Sequence, residues 1–90
     1  MITNDQIKQC IEIASKFGVK KLVLFGSCLD DLKNARDIDL LCDGVKDEDY
    51  FKMGAEMEAA AGVTVDIVPL EPQTPFADYN YRKGRVLYAV

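Results

Sequence analysis

The stretch "LFGSCLDDLKNARDIDLL", residues 24–41, decides how this chain is read. An apolar run, Leu22 to Phe25, closes on Gly26-Ser27, and ten residues beyond Ser27 comes Asp37-Ile38-Asp39 before the chain turns apolar again. A short continuous apolar run suits a strand covered on both faces. In a strand, residues i and i+2 point to one face. Asp37 and Asp39 therefore project together, about 7 Å apart at Cα, while Ile38 and Leu40 point into the core. Adjacent carboxylates repel and are costly to hold beside a core unless a cation joins them. Mg²⁺ accepts such oxygen ligands together with water and substrate phosphates.

Gly26-Ser27 adds to this chemistry. A glycine lets backbone approach a phosphate closely, a helix opening at Ser27 aims free N–H groups at an anion, and the Ser27 hydroxyl is a further donor. Taken alone, the pair is a strand-to-helix turn with a serine cap. A third carboxylate, Asp66, lies mid-strand in "VDIV", residues 65–68. If that strand pairs beside the Asp37–Asp43 strand, Asp66 joins the cluster.

Outward from this stretch the pattern alternates helix and strand. Residues 3–17 read as a helix, with Thr3 and Gln6 as a capping box and Ile2 and Ile7 as a staple. Ile7, Cys10, Ile11, Ala14 and Phe17 share its inner face, and Gly18 ends it. A short helix opens at Ser27, and "DIDLLCD" (37–43) is the second strand. Asp47 is expected to cap a helix running to about Ala61, with Tyr50, Met53, Met57 and Ala60 inward and Gly62 stopping it. Val63 to Val68 is a third strand by alternation and β-branching. Thr74-Pro75 forms an N-cap and N1 pair for a helix over Phe76 to Lys83, and "RVLYAV" (85–90) is a last strand. The order α, β, short α, β, α, β, α, β implies a small α/β (α+β) mixed sheet with helices packed on it.

The 90 residues suit one small domain spanning 1–90. A net charge of −4 argues against a broad nucleic-acid-binding surface, which needs a basic face. Cys10, Cys28 and Cys42 match no zinc or disulfide framework, so a reduced, cytoplasmic setting is expected. No signal peptide or membrane span is legible. The chain has no histidine, which removes Ser-His-Asp and Cys-His catalysis within it and most zinc sites. Chemistry must rest on carboxylates, lysines, hydroxyls, thiols or a hard metal ion. Without a histidine to activate it, Cys28 is assigned to packing, and Tyr79, Tyr81 and Tyr88 to completing a small core.

At "LFGS", "RDIDLL" and "VDIV", in that order, the chain resembles nucleotidyltransferases of the DNA polymerase beta superfamily, most of all their minimal form, the MNT domain. The closing "YRKGRVLYAV" resembles that family's last helix and strand. The resemblance implies that Gly26 and Ser27 hold a triphosphate, that Asp37 and Asp39 bind two Mg²⁺ ions, and that Asp66 shares one ion and helps activate the attacking hydroxyl. Transfer of a nucleoside monophosphate from NTP, with ATP the expected donor, would release pyrophosphate. Many members carry an Arg after Gly-Ser and a Gly soon after. This chain has Cys28, then Asp30 and Asp31, with Lys33 and Arg36 as the cations that compensate beside the nucleotide. The family also implies an antitoxin-like role with a helical HEPN-type partner, a tyrosine of which would accept AMP. The alternative is an MNT-fold binding module, catalytically weak or inactive, that neutralises such a partner by contact. Homo-oligomerisation is left open.

Overall fold

A computed structural model describes residues 1–90. Its elements in chain order are α1 (Asn4–Lys16), β1 (Lys21–Phe25), α2 (Ser27–Asp30), β2 (Asp37–Asp43), a 3-10 turn (Asp47–Asp49), α3 (Tyr50–Ala61), β3 (Thr64–Pro69), α4 (Pro75–Lys83) and β4 (Arg85–Ala89). The strands form one mixed sheet in the order β3-β2-β1-β4. β1 runs antiparallel to β2 and to β4, while β2 and β3 are parallel. The parallel pair requires a crossover, and α3 supplies it.

The α1 cap forms as its residues dictate. The Thr3 hydroxyl accepts from the Gln6 N–H, and the Gln6 carboxamide oxygen accepts from the Thr3 N–H at 2.7 Å. The Gln6 side-chain amide then donates to the Ala61 carbonyl at 2.8 Å, tying the start of α1 to the end of α3. Gly18 and Gly62 take left-handed φ values at the two helix ends. Thr74 caps α4 by accepting from the Ala77 N–H, with Pro75 opening the helix.

The sheet is covered unequally. Ile7, Cys10, Ala14, Leu22, Leu24, Ile38, Leu40, Met53 and Met57 belong to the main core between the sheet and α1 and α3. On the opposite face Val23, Phe25, Leu41 and Ala77 form a small cluster under α4. Phe76 of α4 meets Phe25 edge-on, with centroids 5.8 Å apart. β1 is thus buried on both sides, as its unbroken apolar run requires. No buried polar or charged residue lies in either core.

Two expectations about α3 fail. Asp47 makes no capping bond: Asp47–Asp49 form a 3-10 turn, and α3 begins at Tyr50 without a side-chain cap. Three successive acids gain from proximity to the helix start through the backbone dipole without a fixed hydrogen bond. Ala60 faces solvent and Ala61 is buried instead, because Met53, Met57 and Ala61 continue the strict four-residue spacing on the inner face. The tyrosine expectation is met for one residue of the three. Tyr88 is partly buried and donates to the Val19 carbonyl at 2.8 Å. Tyr79 and Tyr81 lie exposed on α4, beside Lys83 and Lys21.

Candidate active site

The β2–β3 pairing sets Asp39 opposite Asp66, and Asp37 opposite Thr64. The β1–β2 pairing sets Phe25 opposite Asp39. Asp37 and Asp39 alternate with the core residues Ile38 and Leu40, so they share the sheet face that carries Leu41 and α4. Asp66 joins them on that face from β3. The sheet order therefore lays Gly26, at the end of β1, then Asp39, then Asp66 in a row across its open end.

Gly26 closes the row tightly. It takes φ 77° and ψ −152°, a region open essentially only to glycine. A Cβ there would collide with the Asp39 carboxylate. The chain thus uses a residue without a side chain where backbone must pass over the aspartate.

Electrostatics agree with this crowding. Burial pushes the Asp39 carboxyl above its ordinary value, and the charges of Asp66 and Asp37, with a hydrogen bond to Asp66, push it the same way. The chain's two ion pairs, Lys16–Glu56 and Arg82–Asp78, lie elsewhere, so no basic side chain neutralises the three carboxylates. An all-oxygen, negatively charged, uncompensated donor set suits a hard divalent cation. The three carboxylates lie along the sheet and do not close into a cage of three ligands. Asp39 and Asp66 are the adjacent pair. Two carboxylates completed by water and substrate phosphates is the usual Mg²⁺ arrangement.

Around this row, each expected residue has a definite place. Ser27 is exposed at the start of α2. Cys28 is buried, and its thiol donates to the Asp37 carbonyl at 3.1 Å, pinning α2 to the start of β2. Burial, then the charges of Asp39 and Asp37, raise its pKa, which keeps it a thiol and supports the packing role. The Asp31 carboxylate is turned into its own loop, accepting from the Lys33 N–H at 3.1 Å and the Asn34 side chain at 2.6 Å. Lys33 and Arg36 are exposed in that loop and join no ion pair.

Two features escape a reading of sequence alone. A cavity of about 90 Å³ beside Gly26 is lined by Phe25, Leu29, Asp30, Asn80 and Lys83. Lys83 is held by Tyr79, donating to its hydroxyl at 3.2 Å and standing 5.2 Å from its ring centroid. Ala77 and Asn80, three residues apart, gave a hint that this face of α4 meets the sheet, but nothing local says which end of the sheet. The second is a groove of about 420 Å³ between α3 and β3, on the sheet face opposite the carboxylates.

The sequence model described as polymerase beta, nucleotidyltransferase matches residues 8–90. The chain belongs to this family. No curated protein sequence matches it. Among solved structures, the nucleotidyltransferase fold recurs in a toxin–antitoxin complex determined with AMP-PNP, at TM-score 0.80 and 17% identity, covering 98% of this chain and 75% of the other. It recurs in a complex of tri-AMPylated Shewanella oneidensis HEPN toxin with MNT antitoxin, at TM-score 0.71 and 17% identity over 94% of this chain and 73% of the other. A protein assigned as a minimal nucleotidyltransferase matches at TM-score 0.73 and 22% identity, covering 90% of this chain and 88% of the other. At such identities the likeness establishes the fold, and this chain has the nucleotidyltransferase-like mixed sheet with packed helices.

Proposed function

We propose that this nucleotidyltransferase uses a divalent metal, Mg²⁺, to transfer AMP from ATP to a hydroxyl on a protein partner of HEPN type, and so acts as an antitoxin. The observation that carries the reading is the row of Gly26, Asp39 and Asp66, with Asp39 and Asp66 in direct register and unneutralised.

In this reading Asp37, Asp39 and Asp66 hold the metal. When bound, the metal stabilises the attacking and leaving oxygens of an in-line displacement. The chain's own residues position the substrates. Gly26 lets the triphosphate approach the backbone, Ser27 offers its hydroxyl, and Lys83, Lys33 and Arg36 supply positive charge that the Arg-less turn lacks. Asp66, at the far end of the row, faces the entering hydroxyl and can hold its proton as the new P–O bond forms and pyrophosphate departs. Catalysis of such a transfer is mostly positioning and charge stabilisation, and the row of Gly26, Asp39 and Asp66 lies at the open end of the sheet. In this reading a partner supplies both acceptor and cover. The AMP-PNP complex and the AMPylated HEPN toxin among the structural neighbours support this choice of nucleotide and partner.

The test is transfer of label from α-labelled ATP, with Mg²⁺, with and without the protein of the adjacent gene, for wild type and Asp66→Asn. Label on the partner, lost in Asp66→Asn, is expected. Tight partner binding without label, unchanged in Asp66→Asn, would establish the contact-only antitoxin instead.

A further inference from the structure

We propose that the groove between α3 and β3 is the docking site for the acceptor-bearing segment of the protein partner, and that this segment is extended and basic with an apolar or aromatic side chain seated against Phe51. The inference rests on the nucleotidyltransferase reading and adds the surface and the chemistry of its acceptor.

Direction comes first. In an in-line displacement the entering oxygen lies opposite the leaving group. With the triphosphate at Gly26, the acceptor must arrive from the Asp66 end of the row. The groove flanks the same edge strand on the opposite sheet face, so an extended segment running along β3 seats one side chain in the groove and turns the next toward Asp66. The groove is lined by Tyr50, Phe51, Gly54, Ala55, Val65 and Ile67, with Glu58 at its polar side and Asp66 on the strand between Val65 and Ile67. Its volume of about 420 Å³ falls in the range of sites that bury a side chain or small ligand.

Its walls are suited to a peptide. Phe51 is 89% exposed, an aromatic ring left in water at the groove's mouth. Gly54 keeps the floor open, because a Cβ there would only touch the Ile67 side chain, at 3.6 Å. β3 is an edge strand. Its Val65 N–H points outward and is taken by Glu58 at 3.0 Å. Backbone groups two residues on point to the same side, so the edge at Ile67 is offered to an incoming strand. An added strand gains main-chain hydrogen bonds from such an edge, and pockets beside it select side chains.

Charge then selects the occupant. Asp47, Glu48 and Asp49 form the turn leading into Tyr50, and Glu58 stands in the groove itself. Lys46 and Lys52 are the basic residues of the same segment, so acids outnumber them. An acidic rim attracts a basic segment and repels a second copy of this chain, whose net charge is −4.

The probes are two synthetic twelve-residue peptides, each with one central tyrosine between leucines, flanked by lysines in one and by glutamates in the other. Binding is mapped by amide chemical shifts in the full chain, for wild type, Phe51→Ser and Gly54→Gln, alongside thermal stabilisation by ATP and Mg²⁺. The lysine peptide is expected to shift the resonances of Phe51, Gly54, Ala55 and Ile67. Either substitution should weaken it about tenfold, as should the change to glutamates, with stabilisation by ATP and Mg²⁺ unchanged in both variants. Binding at another face, no binding by the wild type at millimolar peptide, or equal affinity for both peptides overturns the groove assignment. Dimerisation of the wild type that Phe51→Ser abolishes also overturns it, in favour of a second copy. Failure of ATP and Mg²⁺ to stabilise the wild type would instead sink the underlying nucleotidyl-transfer reading, whatever the peptides do.

Discussion

Asp39 stands directly opposite Asp66 across the one parallel pairing of the sheet, with Gly26 of the neighbouring strand against its carboxylate. The fold therefore holds like charges together at its open end, and a cost is expected. Asp39 has its carboxyl raised above the ordinary 3.8 by burial, then by Asp66 and Asp37. A raised folded-state pKa means that the folded chain binds this proton more tightly than the unfolded one. Stability from this group is present at low pH and falls as pH rises through the folded value. Asp39→Asn should accordingly raise the Tm at pH 7 by a few degrees, with the gain shrinking toward pH 4. The same variant should lose the stabilisation by Mg²⁺ and ATP. Differential scanning fluorimetry across pH, with and without ligand, reads both effects. A lower Tm at pH 7, or undiminished ligand stabilisation, contradicts the site.

Gly26→Ala should be among the most damaging single changes at the surface of this chain. Its φ of 77° and ψ of −152° disfavour any side chain, at a cost of roughly 1–3 kcal/mol. The new Cβ also displaces the Asp39 carboxylate. A Tm loss of roughly 4–20 °C is expected for so small a domain, with ligand stabilisation lost as well. Gly18→Ala separates the two effects, since its φ is also positive but a Cβ there meets nothing within 4 Å. That control should cost stability and leave ATP binding intact.

The elements whose physics is local were legible in the sequence. The capping box at Thr3, the Thr74-Pro75 helix start, the Asp37–Asp43 strand and the alternation that puts Asp37 and Asp39 on one face all depend on neighbours within a few residues. The register of Asp39 with Asp66 was conditional on strand order, a long-range property that pattern alone leaves open. Lys83 was invisible for the same reason: it reaches Gly26 only because α4 crosses the sheet face at that end. The Asp47 cap failed because a cap is a hydrogen-bond geometry, and composition supplies only the acid.

The thiols and Tyr50 predict sensitivity to alkali. Burial pushes Cys10 up to about 11 and Cys42 to about 12, with nearby acidic or thiol groups acting in the same sense. Tyr50, partly buried and donating to the Cys42 carbonyl at 3.3 Å, is raised to about 12. In the unfolded chain these groups ionise near their ordinary values of 9.0 and 10.0. The unfolded state then binds fewer protons, so stability is complete below pH 9 and falls from there toward 12. Urea midpoints between pH 7 and 11 should decline above 9. Native protein at pH 8 should react with a thiol reagent slowly, and fully once unfolded. Prompt native labelling of Cys10 and Cys42 contradicts this.

Lys83 should matter to ATP and little to stability. Its side chain is exposed and held by Tyr79 in the final turn of α4, so Lys83→Met should move the Tm by no more than a degree or two. Its position in the cavity beside Gly26 puts an ammonium where the triphosphate is proposed to approach the backbone. A charge-assisted contact there, weakened by exposure, is worth on the order of 1.4 kcal/mol, or about tenfold in affinity. The loss should be large for ATP and slight for AMP, which lacks the outer phosphates, and it should shrink with added salt because the contact is solvent-accessible. Arg82→Met is the control, since Arg82 is one residue away but committed to Asp78 at 3.0 Å. Calorimetric titration of ATP and AMP into the two variants at low and high salt decides the matter. Equal losses for ATP and AMP, or equal losses in the Lys83 and Arg82 variants, would remove Lys83 from the phosphate site and leave Lys33 and Arg36 as the compensating cations.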